Sequence, residues 1–209
     1  MTEFDETYKN KIIKGSTFTG TPYCSDARIA FSKEVMEEYI PAINRVMKDD
    51  SKGFRLLLII MTQKEGFYKG RTPKQDSRSY RTNNPGNIGN TDNGKNKKIA
   101  SLEEGILLQK QYIEKVIENK HKAFPIGTIV NIKPYFSEEI AKNAKNYGMS
   151  PYLPGYRFFF TGQLNQFIKI YSTGARAGNT YINMIISFFE NHKITITPET
   201  KIQDIIKIE

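Results

Sequence analysis

The sequence predicts a mainly α protein with a small irregular or β lobe, and three observations lead to this prediction. Apolar side chains recur at helical spacing in several segments between residues 31 and 189. Residues 53–66 are apolar on all sides for two turns, as in a helix buried at the centre of a domain. Residues 67–98 instead hold many Gly, Pro and Asn residues and few aliphatic ones, which indicates a loop with at most a small hairpin. A structureless stretch of this length inside a compact domain usually serves a function.

The first two helices are predicted from their apolar patterns and from residues that begin or interrupt helices. The pattern over residues 31–47 predicts a helix with Ser32 as its cap, which Pro41 should kink or split. Residues 53–65 could also form a short buried strand. We favour a helix because Leu and Met dominate and because Gly66 is a good helix-terminating residue.

The remaining helices follow from capping signals and periodicity. Ser101 and Glu104 have the spacing of a capping box, so a helix should begin there. Its apolar side comprises Leu102, Ile106, Ile113, Val116 and Ile117. Further helices are predicted over residues 137–147, 164–171 and 179–189. Near the end of the chain, the sequence TPE at 197–199 opens a short helix that carries Ile202, Ile205 and Ile206.

The chain divides into three predicted parts. Residues 1–30, rich in Thr, Gly, Ser and Asp, form an N-terminal arm, residues 31–190 form the body, and residues 191–209 form a C-terminal tail with a short helix. A length of 209 residues suits one domain with appendages. It is also long enough to bury a core without disulfides or metal.

Composition excludes several classes of protein. The net charge of +9 predicts an anionic partner, which could be nucleic acid, an anionic membrane or an acidic polymer such as bacterial cell wall. The single cysteine, Cys24, excludes an intrachain disulfide framework, and His121 and His192 lack metal-ligand spacing, so we expect no metal or cofactor. The longest apolar run, residues 56–61, is too short to span a bilayer, and the acidic N-terminus does not read as a secretory signal.

One acidic residue stands out as a candidate for chemistry. Glu65 follows the buried apolar segment, and the helix C-terminus and its aromatic neighbours should both disfavour the charged carboxylate. A carboxylic acid that is still protonated near neutral pH is what a general acid for glycosidic cleavage requires. The alternative is an ordinary solvated glutamate at a helix end, since charged residues are mostly exposed.

Several motifs around Glu65 resemble those of the lysozyme-like superfamily of peptidoglycan-cleaving enzymes. Residues 65–70 read EGFYKG and residues 79–89 read SYRTNNPGNIG, which is similar to phage members with an NNPGNI loop and to bacterial endo-N-acetylglucosaminidases. Residues 99–106, IASLEEGI, resemble the F-x-S-x-E-E-G-I segment of these proteins. The pair YSTG and NTYI, at 171–174 and 179–182, resembles their late Y-A-T/P and N-x-x-Y-I segments.

The resemblance implies a lysozyme-like α+β fold, with a helical body and a small lobe that together form a glycan cleft. Glu65 would be the general acid, residues 83–89 would form one wall, and Tyr171 would lie near Glu65 on the opposite wall. Tyr171 could equally be a core aromatic, and the aromatic residues of 148–160 could pack rather than stack on sugars. The positions expected to contact substrate are Phe67, Tyr80, Asn83, Asn84, Asn87, Ile88 and Tyr156.

The sequence differs from the proteins that it resembles in the acidic residues that follow the loop. Related glucosaminidases often carry a second carboxylate in the lobe after the loop, and here Asp92 is the only acid between residues 89 and 98. It could be a catalytic base or simply a turn residue. Without it, two routes need only Glu65: assistance by the 2-acetamido group of the substrate, or attack by its 6-hydroxyl to give a 1,6-anhydro product.

The sequence therefore predicts a phage-encoded glycosidase that cleaves peptidoglycan between N-acetylmuramic acid and N-acetylglucosamine. We expect it in the host cytoplasm before release, or packaged in a virion beside other virion proteins. One alternative is a lysozyme-like structural or wall-binding module with little or no catalysis. The other is a nucleic-acid-binding protein, which only the charge and the tyrosine content favour, because no helix-turn-helix, RNA-binding or zinc-finger pattern is present.

Overall fold

The computed structural model describes residues 31–89, 96–132, 156–172 and 179–209, and it confirms a mainly α protein with a small two-stranded sheet. Its elements in chain order are a π-helical segment (Val35–Tyr39), α1 (Ile40–Val46), α2 (Lys52–Glu65), α3 (Arg78–Arg81), α4 (Leu102–Ile117), β1 (Ile129–Ile132), β2 (Tyr156–Phe159), α5 (Leu164–Tyr171), α6 (Asn179–Asn191) and α7 (Ile202–Ile205). Three predictions lie outside the described residues: the arm at 1–30, the helix at 137–147 and the role of Asp92.

The first helix begins at its predicted cap and changes type next to proline. The Ser32 hydroxyl accepts a hydrogen bond from the Val35 N–H at 3.3 Å, which confirms the cap. The Ile40 N–H donates to the carbonyl of Val35, five residues earlier, so the backbone here is π-helical. Pro41 lacks an N–H and its ring crowds the preceding turn of a regular helix. Pro41 was predicted to kink or split the helix. The structure instead has a wider, π-helical turn directly before it.

Helix α2 lies at the centre of the fold, as its apolar sequence predicted. The Ser51 hydroxyl caps it by accepting from the Phe54 N–H at 3.1 Å. Its middle, residues 56–61, has no solvent exposure, and the helix packs against α1, α6 and α7. It ends at Gly66, whose φ of 76° is left-handed, so the predicted glycine terminator is confirmed.

The C-terminal residues complete the same core. Ile202 and Ile205 of α7 are buried, although this helix begins three residues after the TPE sequence that was expected to open it. The Gly53 N–H at the start of α2 donates to the Ile208 carbonyl at 2.8 Å. A Cβ at Gly53 would lie 2.1 Å from the Ile205 carbonyl oxygen, so only glycine permits this close packing.

The two strands lie outside residues 67–98, the segment for which the sequence predicted a loop with at most a small hairpin. β1 and β2 pair antiparallel in the register Ile129↔Phe159 and Ile132↔Tyr156, whereas residues 67–89 contain turns and the short helix α3. In β1, buried Val130 and Ile132 alternate with exposed neighbours, which is the two-residue period of a strand. Within the described ranges, no helix has the length and apolar character needed to cross a bilayer.

Candidate functional site

Glu65 is the last residue of α2, and the fold brings a loop, a helix and two tyrosines around it. Its side chain is half-buried. Gly66 turns the chain away from the helix axis in the left-handed conformation. The Ser79 hydroxyl of α3 donates to the Glu65 carbonyl oxygen at 3.2 Å, which satisfies a helix-terminal carbonyl. The end of α2 is thus held against α3, which precedes the asparagine-rich loop.

Burial raises the pKa of the Glu65 carboxyl to about 7. Four groups oppose this rise: the Lys64 ammonium, hydrogen bonds from Tyr181 and Asn87, and the Arg78 guanidinium. The Tyr181 hydroxyl donates to Oε1 of Glu65 at 3.3 Å. A carboxyl with a pKa in this range exchanges its proton near neutral pH, so it can act as an acid or a base there.

The NNPGNIG loop at residues 83–89 is held by its own asparagines. The Asn84 side chain is fully buried, and it both donates to the Ile88 carbonyl at 2.8 Å and accepts from the Ile88 N–H at 3.0 Å. Asn83 and Asn87 have φ values of 51° and 53°, a left-handed conformation that asparagine tolerates better than most residues. Asn83 donates to the Ile99 carbonyl at 3.1 Å, whereas the Asn87 side chain hydrogen-bonds the Glu65 carboxyl.

Helix α4 supports this loop through two glycine contacts. A Cβ at Gly86 would lie 2.6 Å from Cγ of Gln109, and one at Gly105 would lie 1.9 Å from the Asn83 carbonyl oxygen. Gln109 is itself fully buried and accepts hydrogen bonds from the Tyr39 and Thr62 hydroxyls. The loop therefore rests directly on α4, which in turn is joined to α2.

Tyr171 also contacts the NNPGNIG loop. Its hydroxyl donates to the Gly86 carbonyl, and its half-buried ring packs against Tyr112 and Phe167. Burial, and then the nearby Glu65 carboxylate, raise the Tyr171 pKa well above its usual range. Tyr171 is thus both a packing residue and a neighbour of Glu65. The two alternatives from the sequence, a core aromatic and a residue near Glu65, are therefore compatible.

Two expected ligand contacts need correction. Phe67 is only 3% exposed, and its ring packs between Tyr39 and Tyr80, so it supports the site without offering a face to a ligand. The amide of Asn84 is buried and hydrogen-bonds Ile88, so it stabilises the loop and does not face a ligand. Tyr80 and Ile88 are half-buried and keep some exposed surface.

The site includes three residues that the sequence interpretation missed. Tyr181, Ser79 and Gln109 contact Glu65 or its supporting loop. Tyr181 stands in the NTYI segment and Ser79 in the SYRTNNPGNIG segment, so both could have been found there. The side chain of Tyr156 lies outside the described part, although its backbone belongs to β2. No group of three or more His, Cys, Asp or Glu side chains in the described ranges is arranged to hold a metal ion.

No protein-family model, curated protein or solved structure matches this chain, so its function is inferred from the site itself.

Proposed function

We propose that this chain is a glycosidase that cleaves the glycan backbone of bacterial peptidoglycan between N-acetylmuramic acid and N-acetylglucosamine. The observation that carries the proposal is the half-buried Glu65 carboxyl, whose pKa burial raises to about 7. A general acid is most effective when its pKa lies near the working pH. Glu65 would protonate the glycosidic oxygen as the bond to the sugar breaks.

The surroundings of Glu65 support a lysozyme-like arrangement of the cleft. The carboxyl stands at the end of the central helix and faces the NNPGNIG loop, with Asn87 reaching it from that loop and Tyr181 from α6. These are the motifs whose order resembles the lysozyme-like superfamily. Residues 83–89 would form the cleft wall, and the exposed parts of Tyr80 and Ile88 would contact sugars.

A mechanism with one carboxyl uses only groups that the structure describes around Glu65. The groups that shift its pKa are two cations, a phenol and an amide, with no second carboxylate among them. The carbohydrate itself would then supply the second reacting group, either its 2-acetamido oxygen or its 6-hydroxyl. Inverting hydrolysis through Asp92 would instead need its carboxyl about 6.5–9.5 Å from that of Glu65.

The two other functions make different demands on Glu65. A structural module of a virion or cell wall does not need a partly buried carboxyl held at the end of a central helix, because such a group costs stability when it ionises. A nucleic-acid-binding protein does not need it either. We propose a role in phage lysis or in cell-wall penetration from a virion. Other virion proteins would then be partners, and the host cytoplasm would be the location before release.

The test is to incubate the protein and Glu65→Gln with purified sacculi and to analyse the released glycan by mass. Glutamine keeps the shape but carries no acidic proton, so the rate should fall about 10²–10⁴-fold. Glu190→Gln, the same change at an exposed position on α6, is the matched control and should keep full activity. Release by Glu65→Gln at the unaltered rate would refute the mechanism.

The products identify the reaction and the bond. A fragment lighter by one water marks 1,6-anhydro formation by transglycosylation, and a reducing muramic acid or glucosamine end identifies the bond that is cut. Asp92→Asn tests the second carboxylate directly: a loss comparable to that of Glu65→Gln would assign it a catalytic role, and unchanged turnover would leave Glu65 as the sole acid.

A further inference from the structure

The segment between α2 and the end of α3 is strongly basic. Residues 69–81 contain five basic side chains and one acidic residue, Asp76. We call the five basic residues the cationic rim: Lys69, Arg71, Lys74, Arg78 and Arg81. Nearly half of the net charge of +9 of the chain therefore lies within 13 consecutive residues.

The segment that carries the cationic rim approaches Glu65 at α3. At its base, the Tyr68 N–H donates to the Ser77 hydroxyl at 3.0 Å, and the Ser77 N–H donates to the Tyr68 carbonyl at 3.0 Å. Just beyond this closure, Ser79 contacts the Glu65 carbonyl, and Arg78 is close enough to lower the pKa of its carboxyl. Lys69, Arg71 and Lys74 therefore lie on a closed loop, and Arg78 and Arg81 lie on α3, which contacts the proposed catalytic position through Ser79.

The fold leaves most of this charge without an internal role. The Asp76 carboxylate accepts a hydrogen bond from the Gly70 N–H at 2.8 Å and so closes the loop. Arg71, Lys74 and Arg81 are exposed, and they take part in none of the ion pairs between residues that the structure describes. Like charges on one short loop repel each other, so their concentration is explained best by a ligand that neutralises them.

We propose that the cationic rim binds oxyanions carried by the wall polymer, next to the bond that Glu65 cleaves. Carboxylates of the stem peptides and phosphates of wall polymers share this chemistry, and guanidinium and ammonium groups bind both. The inference rests on the proposed function and extends it: the substrate is an anionic glycan, and a neutral polymer of N-acetylglucosamine binds poorly.

Binding is measured by co-sedimentation with sacculi, in the Glu65→Gln background so that the polymer stays intact. The test variant is Arg71→Gln/Lys74→Gln and the control is Lys48→Gln/Lys207→Gln. Both pairs are exposed, and both remove two positive charges, so the net charge of the variants is equal. The control residues lie near the other end of α2, because Arg55 donates to the Lys48 carbonyl and Gly53 to that of Ile208. A helix of 14 residues separates the two ends by about 20 Å.

The rim variant should bind about five- to tenfold more weakly at low salt, and the control less than twofold more weakly. The difference should shrink as salt is raised. Sacculi with amidated carboxylates and sacculi stripped of wall phosphates distinguish the two sources, since the treatment that removes the rim dependence identifies the oxyanion. Three results would overturn the proposal. The rim and control variants could bind sacculi equally weakly, or the rim variant could still bind more weakly than the control after both treatments. The protein could also bind chitin as tightly as it binds sacculi.

The same variants in the chain that retains Glu65 separate this inference from the proposed function. Cleavage of sacculi with an unchanged KM in the rim variant would refute oxyanion binding by the rim, and the proposed glycosidase activity would be unaffected. Rim-dependent binding without cleavage by the unaltered protein would refute the glycosidase and leave a wall-binding protein.

Discussion

The Tyr181 hydroxyl donates a hydrogen bond to Oε1 of Glu65 at 3.3 Å, across 116 residues of sequence. Tyr181 is fully buried on α6, and the Lys64 ammonium lies 5.5 Å from the centroid of its ring. Burial favours the neutral carboxylic acid, whereas this hydrogen bond and the nearby cations favour the carboxylate. The Glu65 pKa of about 7 is the balance between these opposing effects.

Replacing Tyr181 with Phe should raise the Glu65 pKa further. The variant loses a donor that stabilises the ionised carboxyl, and a hydrogen bond of this length accounts for about one pKa unit or less. If Glu65 is the proposed general acid, the alkaline limb of the pH–rate profile should move to higher pH, because the carboxyl stays protonated at higher pH. NMR titration of labelled glutamate measures the same shift, and Glu65→Gln identifies the signal by removing it. A lower pKa in Tyr181→Phe would contradict this account.

Glu65→Gln should make the protein more stable at alkaline pH relative to the unaltered chain. The folded pKa of about 7 exceeds the ordinary value of 4.5, so the folded state holds this proton more tightly than the unfolded state. Stability from this group is therefore complete below about pH 4.5 and is lost as pH rises to about 7. The difference in free energy of unfolding between variant and unaltered protein should shift by on the order of 2–3 kcal/mol between pH 4 and pH 8.

Denaturant unfolding across this pH range measures the difference, with Glu190→Gln at an exposed position of α6 as the control for the loss of one carboxyl. A parallel pH dependence in Glu65→Gln and the unaltered protein would show that the carboxyl is solvated in the folded state.

Tyr171→Phe should loosen the NNPGNIG loop. The variant leaves the Gly86 carbonyl without its donor, which should cost about 1 kcal/mol of stability and increase amide exchange across residues 84–89. Turnover should fall because Asn87 reaches Glu65 from this loop. Tyr112→Phe is the matched control, since it removes a phenol from the adjacent ring but no donor to the loop. Equal exchange in the two variants would exclude a specific role for the Tyr171 hydroxyl.

Gly105→Ala should destabilise the protein even though alanine favours helices. Intrinsic propensity alone predicts a gain of about 1 kcal/mol inside α4. However, the added Cβ would lie 1.9 Å from the backbone carbonyl oxygen of Asn83, which cannot move without displacing the loop. We expect a net loss of about 1–3 kcal/mol by thermal unfolding. Gln111→Ala, at an exposed position of α4, shows the effect of propensity alone and should be neutral or slightly stabilising. A stabilised Gly105→Ala would mean that the loop does not rest on α4.

Local chemistry was sufficient to predict the beginning and end of several helices. Ser32 and Ser101 accept backbone N–H groups at the predicted caps, and Gly66 ends α2 in the left-handed conformation. Each of these features depends on atoms within a few residues, so a single sequence contains the information. The sequence did not predict the strands at 129–132 and 156–159, because each four-residue strand is stabilised mainly by its partner, and 23 residues separate β1 from β2.

The sequence likewise predicted only those features of the candidate site that depend on neighbouring residues. By itself, the sequence determined that Glu65 follows a buried helix, that a loop rich in asparagine comes soon after it, and that the chain carries a net charge of +9. Only the tertiary structure decided that Asn87 and Tyr181 share the Glu65 carboxyl, while Asn84 and Phe67 face inward. Residues of the same type differ in role because burial and hydrogen bonding depend on distant segments, and these contacts exist only once the helices have packed.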